Sequence, residues 1–229
     1  MIIKGLQKLT LLDYPGNLAC TIFTGGCNFR CPFCHNASIV LGEGSEDYTE
    51  DFIIDFLKNR QGKLDGVAIT GGEPLLQKDI VSFINKVKNL GFKVKLDTNG
   101  SFPEKLKEIV DLKIVDYVAM DIKNSPNKYA ETVGRQGYDY DRVAESIEIL
   151  MSSGLDYEFR TTIIKELHDS EDIEAIGKNI CGAKAWFLQN FVDSGDLICN
   201  EMNGHSTETL KQYLEIARKY VPSAEIRGV

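Results

Sequence analysis

Three of the six cysteines, Cys27, Cys31 and Cys34, fall within eight consecutive positions and are spaced C-x3-C-x2-C. The run reads Gly25-Gly26-Cys27-Asn28-Phe29-Arg30-Cys31-Pro32-Phe33-Cys34-His35-Asn36 and directly follows an apolar, β-branched segment. Thiolates are soft ligands. Three of them from one short loop can each take one iron of a cubane, leaving the fourth iron open to an exogenous molecule. The competing chemistry is a structural zinc site, which closes with four Cys or His ligands, commonly as two spaced pairs. No second pair stands in this sequence. His35 could complete a zinc set only if the loop folded back sharply, so the spacing favours an iron–sulfur cluster with an open corner. Cys20, Cys181 and Cys199 lack metal-type spacing and read as buried apolar residues.

Three further runs place polar groups where strand-like segments end. In Thr70-Gly71-Gly72-Glu73-Pro74, paired glycines leave backbone carbonyls accessible and the carboxylate offers a counter-charge to an ammonium; an ordinary turn is the other reading. Leu96-Asp97-Thr98-Asn99-Gly100 and Ala119-Met120-Asp121-Ile122-Lys123 each put a carboxylate at such an end. Either Asp alone could cap a helix or shape a turn. Together, two carboxylates and a hydroxyl could gather a hard cation. Arg160, inside an apolar strand, needs an anionic partner if it points inward; a structural salt bridge and a ligand contact both satisfy that. Trp186 and its aromatic neighbours read as core.

The elements that must hold these groups alternate along the chain. Apolar or β-branched runs at 18–23, 66–70, 92–96, 115–120, 157–164 and 185–189 predict strands. Helical periodicity lies between them, at 50–59, 79–90, 103–110, 142–151, 170–180 and 207–220. Right-handed crossovers then dictate a parallel sheet. Six βα units fall short of the eight that close a barrel. The predicted fold is therefore α/β, an open partial (β/α)6 barrel with outer helices and its active groups at the C-terminal ends of the strands. Thr49 stands where it can cap the helix opening at Glu50, and Gly91, Gly100 and Gly154 stand where elements must stop. Residues 1–17 predict an added N-terminal strand or hairpin, and 223–229 a short closing strand. With no linker or low-complexity tract in between, residues 1–229 are expected to form a single domain.

The formal net charge of −8 argues against nucleic acid as a partner, since phosphate binding draws on clustered Lys and Arg. Hydrophobic residues at 43% and charged residues at 26% are ordinary for a globular chain and leave no apolar run that predicts a membrane span. Residues 1–14 interleave apolar positions with Lys4, Lys8 and Asp13, unlike a secretory signal, and the cysteine usage suits metal binding in a reducing compartment. A cytoplasmic location is the expectation.

C-x3-C-x-aromatic-C after the first strand resembles the signature of the radical S-adenosylmethionine (SAM) superfamily. The resemblance implies a [4Fe–4S] cluster on Cys27, Cys31 and Cys34. Its open iron would take the amino and carboxylate groups of SAM, with Phe33 along the adenine and Gly71, Gly72 and Glu73 serving the amino group. The runs ending in Gly100 and Lys123 look like those of glycyl-radical-enzyme activases. That likeness implies a monovalent cation, Na+ or K+, held beside SAM by Asp97, Thr98, Asp121 and the Ala119 carbonyl. Asn99, Lys123 and Arg160 complete the implied SAM-binding set. Lys123 would neutralise the methionine carboxylate or meet a peptide carbonyl, with a surface lysine as its other reading.

Gly5-Leu6-Gln7-Lys8-Leu9-Thr10-Leu11-Leu12-Asp13-Tyr14-Pro15-Gly16, together with the run from Phe23 to Asn36, closely resembles anaerobic ribonucleoside-triphosphate reductase activating proteins. This implies reductive cleavage of SAM, with an electron from flavodoxin or ferredoxin. A 5′-deoxyadenosyl radical then abstracts hydrogen from a glycine of a glycyl radical enzyme. Activases of pyruvate formate-lyase share the layout. Small-molecule radical SAM enzymes such as deazaguanine synthases are a further alternative, although they follow the last cysteine with Asp-Thr where this chain has His35-Asn36. A non-catalytic zinc or iron–sulfur interaction module would leave Gly71, Gly72, Asp97, Asp121 and Lys123 without purpose. One departure stands out: the sixth strand ends in Leu188-Gln189-Asn190-Phe191, without the histidine that contacts the ribose in some lyase activases.

Overall fold

A computed structural model of the chain describes residues 1–42, 47–199 and 201–228. They fall into two compact units, one of Met1–Asn28, Ser38–Thr98 and Glu104–Val118, the other of Phe29–Ala37, Asn99–Pro103 and Ala119–Val229.

In the first unit, β1 (Ile3–Thr10) runs antiparallel to β2 (Ala19–Thr24), with Ile3 opposite Thr24 and Thr10 opposite Ala19. Of the added strand or hairpin expected over residues 1–17, the strand is present as β1. β2 then pairs in parallel with β3 (Gly66–Gly71), and β3 with β4 (Lys93–Thr98). The buried run Ala19, Cys20, Thr21, Ile22 suits a parallel strand covered on both faces. Two helices pack by periodicity. In α2 (Glu50–Lys58), Ile53 and Leu57 are buried at an i,i+4 spacing; in α3 (Ile80–Asn89), Ile80, Phe83, Ile84 and Val87 form one apolar stripe. Thr49 caps α2 as expected, its side chain accepting from the Phe52 N–H at 3.2 Å.

α1 (Ala37–Leu41), α4 (Pro103–Asp111) and β5 (Tyr117–Asp121) each begin in one unit and end in the other. The second unit continues with α5 (Tyr129–Thr132), α6 (Asp141–Ser152), β6 (Asp156–Ile163), α7 (Ser170–Asn179), β7 (Trp186–Asn190), α8 (Thr207–Arg218) and β8 (Glu225–Arg227). β6, β7 and β8 pair in parallel, with Phe159 opposite Trp186 and Phe187 opposite Glu225. Trp186 is a core residue, as read from the sequence; it is fully buried and its Nε1–H donates to Thr161 Oγ1 at 3.0 Å.

The strands are hydrogen-bonded in chain order from β1 to β8, with β1 antiparallel to β2 and the β2–β3, β3–β4, β6–β7 and β7–β8 pairs parallel. The fold is α/β with a parallel-dominated sheet, and β2 to β7 are the six expected strands. α1 and α5, of five and four residues, were not expected, being too short to show a period. The closing strand expected over 223–229 is the three-residue β8; position 229 lies outside the described residues. Among the described residues, no helix is long and apolar enough to cross a membrane.

Candidate active site

In the first unit, β2 delivers the chain to Gly25-Gly26-Cys27 while β3 ends at the glycine pair. The pair is required by close approach rather than by an ordinary turn. A Cβ on Gly72 would lie 1.9 Å from the Gly26 carbonyl oxygen, and one on Gly71, whose φ is 108°, would lie 2.5 Å from the Thr24 nitrogen. The Gly72 N–H donates to the Thr24 carbonyl at 2.8 Å, and the Glu73 N–H to the Gly26 carbonyl at 2.9 Å. The cysteine loop is thus pinned by backbone at its entry. Gln77, which sequence reading missed, adds a second pin: its amide donates to the Gly25 carbonyl at 2.8 Å and accepts from the Ile2 N–H at 3.0 Å.

Glu73 does not stand open as a counter-charge. It is fully buried, and its Oε1 accepts from the Leu75 N–H at 2.9 Å, capping the short 3-10 turn Pro74–Leu76, and from the Thr98 hydroxyl at 2.8 Å. Asp97 likewise has a partner in the buried Lys95 ammonium. Of the oxygen groups expected to cage a monovalent cation, the Thr98 hydroxyl donates to Glu73 and the Asp97 carboxylate pairs with Lys95. A signal for Lys95 did exist, because residues i and i+2 of a strand share a face.

In the second unit, Cys31 and Phe33 are buried and Cys34 is half-buried. Arg30, Cys31 and Cys34 share this unit with a charged trio: Asp121 at the end of β5, Lys123 two residues beyond it and Arg160 within β6. Asp121 accepts from Arg160 Nε at 2.8 Å through one oxygen and from Lys123 Nζ at 2.9 Å through the other. Burial alone would raise the Asp121 carboxyl, but Arg160 and Lys123 outweigh it and hold the group well below the usual carboxylate range. Burial would lower Lys123, yet Asp121 and then Cys31 outweigh it and keep the ammonium charged. Asp121 is thus the anion Arg160 needs, and the trio carries one surplus positive charge. Asn99 folds onto its own loop, its Oδ1 accepting from the Ser101 N–H at 2.9 Å.

His168 is the second group the sequence reading missed. Its Nδ1 accepts from the Ile164 N–H at 3.2 Å, so Nε2 carries the proton and donates to the Lys123 carbonyl at 2.9 Å. Burial lowers its pKa, leaving a neutral ring. His35 is exposed, stacks on Phe191 at 5.4 Å between centroids and contacts the Val192 carbonyl through Nε2 at 2.9 Å. The chain has no sixth-strand histidine. Asn190, at that place, instead accepts from the His205 N–H at 2.9 Å.

The remaining cysteines are not uniformly buried. Cys20 is, and burial pushes its thiol up to about 12, but Cys181 is exposed and Cys199 half-buried, its N–H donating to the Pro32 carbonyl at 2.8 Å. Among the described residues, none of the cysteines is in a disulfide. Nor do three His, Cys, Asp or Glu side chains there gather around a position for one metal ion. A cubane asks for something else, one thiolate per iron. The donor set fits it. Cys27, Cys31 and Cys34 are soft donors; burial raises the Cys34 thiol, and the backbone at Asn36 and then the Lys123 ammonium oppose it.

The model of the Radical SAM superfamily matches residues 21–178, from β2 into α7. The chain belongs to the radical SAM superfamily. A Methanocaldococcus jannaschii protein named as a glycyl-radical enzyme activating enzyme is 34% identical over 238 residues, covering 100% of this chain and 96% of its own. That full-length likeness puts the chain in the activating-enzyme group of radical SAM enzymes. A pyruvate formate-lyase-activating enzyme of Listeria monocytogenes is 30% identical over 140 residues, 56% of this chain and 55% of its own. A GTP 3′,8-cyclase of Alkaliphilus oremlandii is 38% identical over 137 residues, 56% of this chain and 41% of its own. Among solved structures, a radical SAM methyltransferase from Sphaerobacter thermophilus superposes with a TM-score of 0.74 at 13% identity, over 96% of this chain and 68% of its own, a likeness of fold.

Proposed function

We propose that this radical SAM enzyme, acting as a single domain, installs a glycyl radical on an anaerobic ribonucleoside-triphosphate reductase. The observation that carries the activating function is the full-length likeness to an activating enzyme. The choice of partner rests on the opening run from Gly5 to Gly16 and the loop that follows.

In this reading, Cys27, Cys31 and Cys34 would hold a [4Fe–4S] cluster, and the chemistry that cluster would supply is one-electron reduction of SAM, with a flavodoxin or ferredoxin as the electron source. The residues of this chain bind and orient. The surplus positive charge of Asp121, Lys123 and Arg160 suits the methionine carboxylate of SAM. Gly71 and Gly72 leave backbone oxygens for its ammonium, Phe33 offers a flat apolar face to its adenine, and Asn99 supplies an amide to its polar edge. Glu73 acts from behind, fixing the turn that follows the glycines. The protein's contribution is positioning and exclusion of water.

The test is anaerobic incubation of reconstituted enzyme with reductant, SAM and a class III ribonucleotide reductase. A glycine-centred doublet in the electron paramagnetic resonance spectrum is expected. A doublet only with pyruvate formate-lyase would reassign the partner. Release of 5′-deoxyadenosine with a small-molecule substrate, and no doublet with any glycyl radical enzyme, would overturn the activating function in favour of the chemistry to which the cyclase likeness points.

A further inference from the structure

Within the first unit, β4 carries charge on a face that is closed to water. Residues i and i+2 of a strand share a face, so Val94 and Leu96 lie on one side of β4 and Lys95 and Asp97 on the other. Val94 and Leu96 are fully buried, as suits a strand covered on both faces. Lys95 is buried as deeply, at 1% exposure, and is the one lysine so buried among the described residues. Its parallel neighbour on β3 is Ala68, whose small side chain leaves room for the lysine stem. The ammonium meets the Asp97 carboxylate, which is itself only 13% exposed.

An ammonium is costly to bury. Taking two charges out of water cancels most of what their attraction returns, and an apolar pair of similar size holds such a spot as well or better. Stability therefore gives no reason for Lys95. Position gives one. Asp97 is the first of the oxygen ligands that the likeness to activases assigns to Na+ or K+, and it does not fit that role, because its carboxylate already has a cation of its own. Thr98, the next of them, is turned toward Glu73 by the 2.8 Å hydrogen bond from its hydroxyl. In the second unit, taken by itself, Asp121 is likewise served by protein cations, Arg160 and Lys123. Both carboxylates of the expected cage are thus neutralised by side chains of their own unit.

We propose that the Lys95 ammonium replaces the monovalent cation, as a tethered positive charge beside Asp97, so that SAM binding in this chain needs neither Na+ nor K+. The inference rests on the SAM-binding reading given above. An ammonium carries the same unit charge as either ion and reaches oxygen through its N–H groups. Held on a strand of the sheet, it does not dissociate when the salt changes.

The experiment compares the full chain with Lys95→Met, whose side chain keeps an apolar stem but ends one atom short and so leaves the ammonium's place open beside Asp97. Both proteins are reconstituted anaerobically and exchanged into choline chloride, NaCl or KCl at equal ionic strength, and SAM is titrated in by calorimetry. Wild type should bind SAM with the same affinity in all three salts, within about twofold. Lys95→Met should bind about tenfold or more weakly in choline chloride, the scale of a lost charge-assisted contact, and should regain most of that loss saturably in Na+ or K+. A second readout needs neither cluster nor SAM. The melting temperature of cluster-free Lys95→Met should rise saturably with Na+ or K+ relative to choline, and that of wild type should not. Wild-type affinity several-fold higher in either ion than in choline overturns the proposal. So does a folded Lys95→Met whose SAM affinity neither ion restores, which would leave Lys95 and Asp97 a structural ion pair. If Lys95→Met does not fold, the wild-type salt comparison decides alone. A loaded wild type that binds no SAM in any salt sinks the SAM-binding reading instead; the melting comparison then judges Lys95 by itself, and a cluster-free Lys95→Met that neither ion stabilises counts against it.

Discussion

The ammonium of Lys123 is placed by its neighbours rather than by its own flexible stem. Asp121, the last residue of β5, draws it in from two residues back, and the His168 ring holds the carbonyl of Lys123 itself. Lys123→Met keeps the stem, removes the charge and leaves the Asp121–Arg160 pair intact. We expect it to weaken SAM binding about tenfold or more, the scale of a charge-assisted contact, while iron content stays at the wild-type level. Isothermal titration of SAM into loaded protein checks this; undiminished affinity would remove Lys123 from the SAM site. The sequence drew attention to these residues because they are local, although it did not show that Asp121 pairs with Lys123. The cysteines are neighbours, and Asp121 and Lys123 lie two residues apart. Gln77 and His168 were missed because their partners, Gly25 and Lys123, lie 52 and 45 residues away, and only the strand order brings them within reach. Cys181 was misread for a related reason: a cysteine's type suggests burial, but its position just past the end of α7 exposes it.

The elements were legible where a period repeats. The stripe of α3 and the buried i,i+4 pair of α2 mark their helices directly, whereas α1 and α5 are single turns stabilised by what they pack against. Helix starts carry their own signal, and α7 carries it most fully. Asp169 caps the helix, its side chain accepting from the Glu171 and Asp172 N–H groups at 2.9 and 3.1 Å, while Asp172 reaches back to the Asp169 N–H at 3.0 Å. Both carboxylates also accept from Lys128 Nζ at 2.7 Å, tying α7 to the turn before α5. Asp169→Ala should lower stability by about 1–2 kcal/mol, most of it from the cap, since the Lys128–Asp169 pair is exposed and contributes little. Asp169→Asn keeps an acceptor for the cap and should cost well under half as much. Urea denaturation of the cluster-free chain separates the two, and equal losses would show that the ion pair, and not the cap, holds this end of the helix.

For the whole molecule, composition gave the sign of the charge but not the pH at which the fold responds to it. A net charge of −8 is a surface property; the response to acid is set by the few ionisable groups whose surroundings differ between folded and unfolded chains. His168 is the first of them to be met on acidification. Its pKa in the fold is lowered from 6.5, chiefly by burial, so below 6.5 the unfolded chain takes up a proton that the folded ring resists. The stability it confers is complete above 6.5 and is lost as the pH falls through that value toward the folded pKa. Asp121 follows at lower pH. Its pKa in the fold lies below 3.8, so the stability of its pairing with Arg160 and Lys123 is complete above 3.8 and fades as acid protonates the carboxylate. Denaturation midpoints of the cluster-free chain should therefore be level near neutrality, decline gently below 6.5 and fall steeply below 4. His168→Gln, which can still donate an N–H to the Lys123 carbonyl, should abolish the gentle decline and leave the steep one. If the decline near 6.5 survives in His168→Gln, its source lies in another group, and the neutral ring holding Lys123 has no part in the acid response.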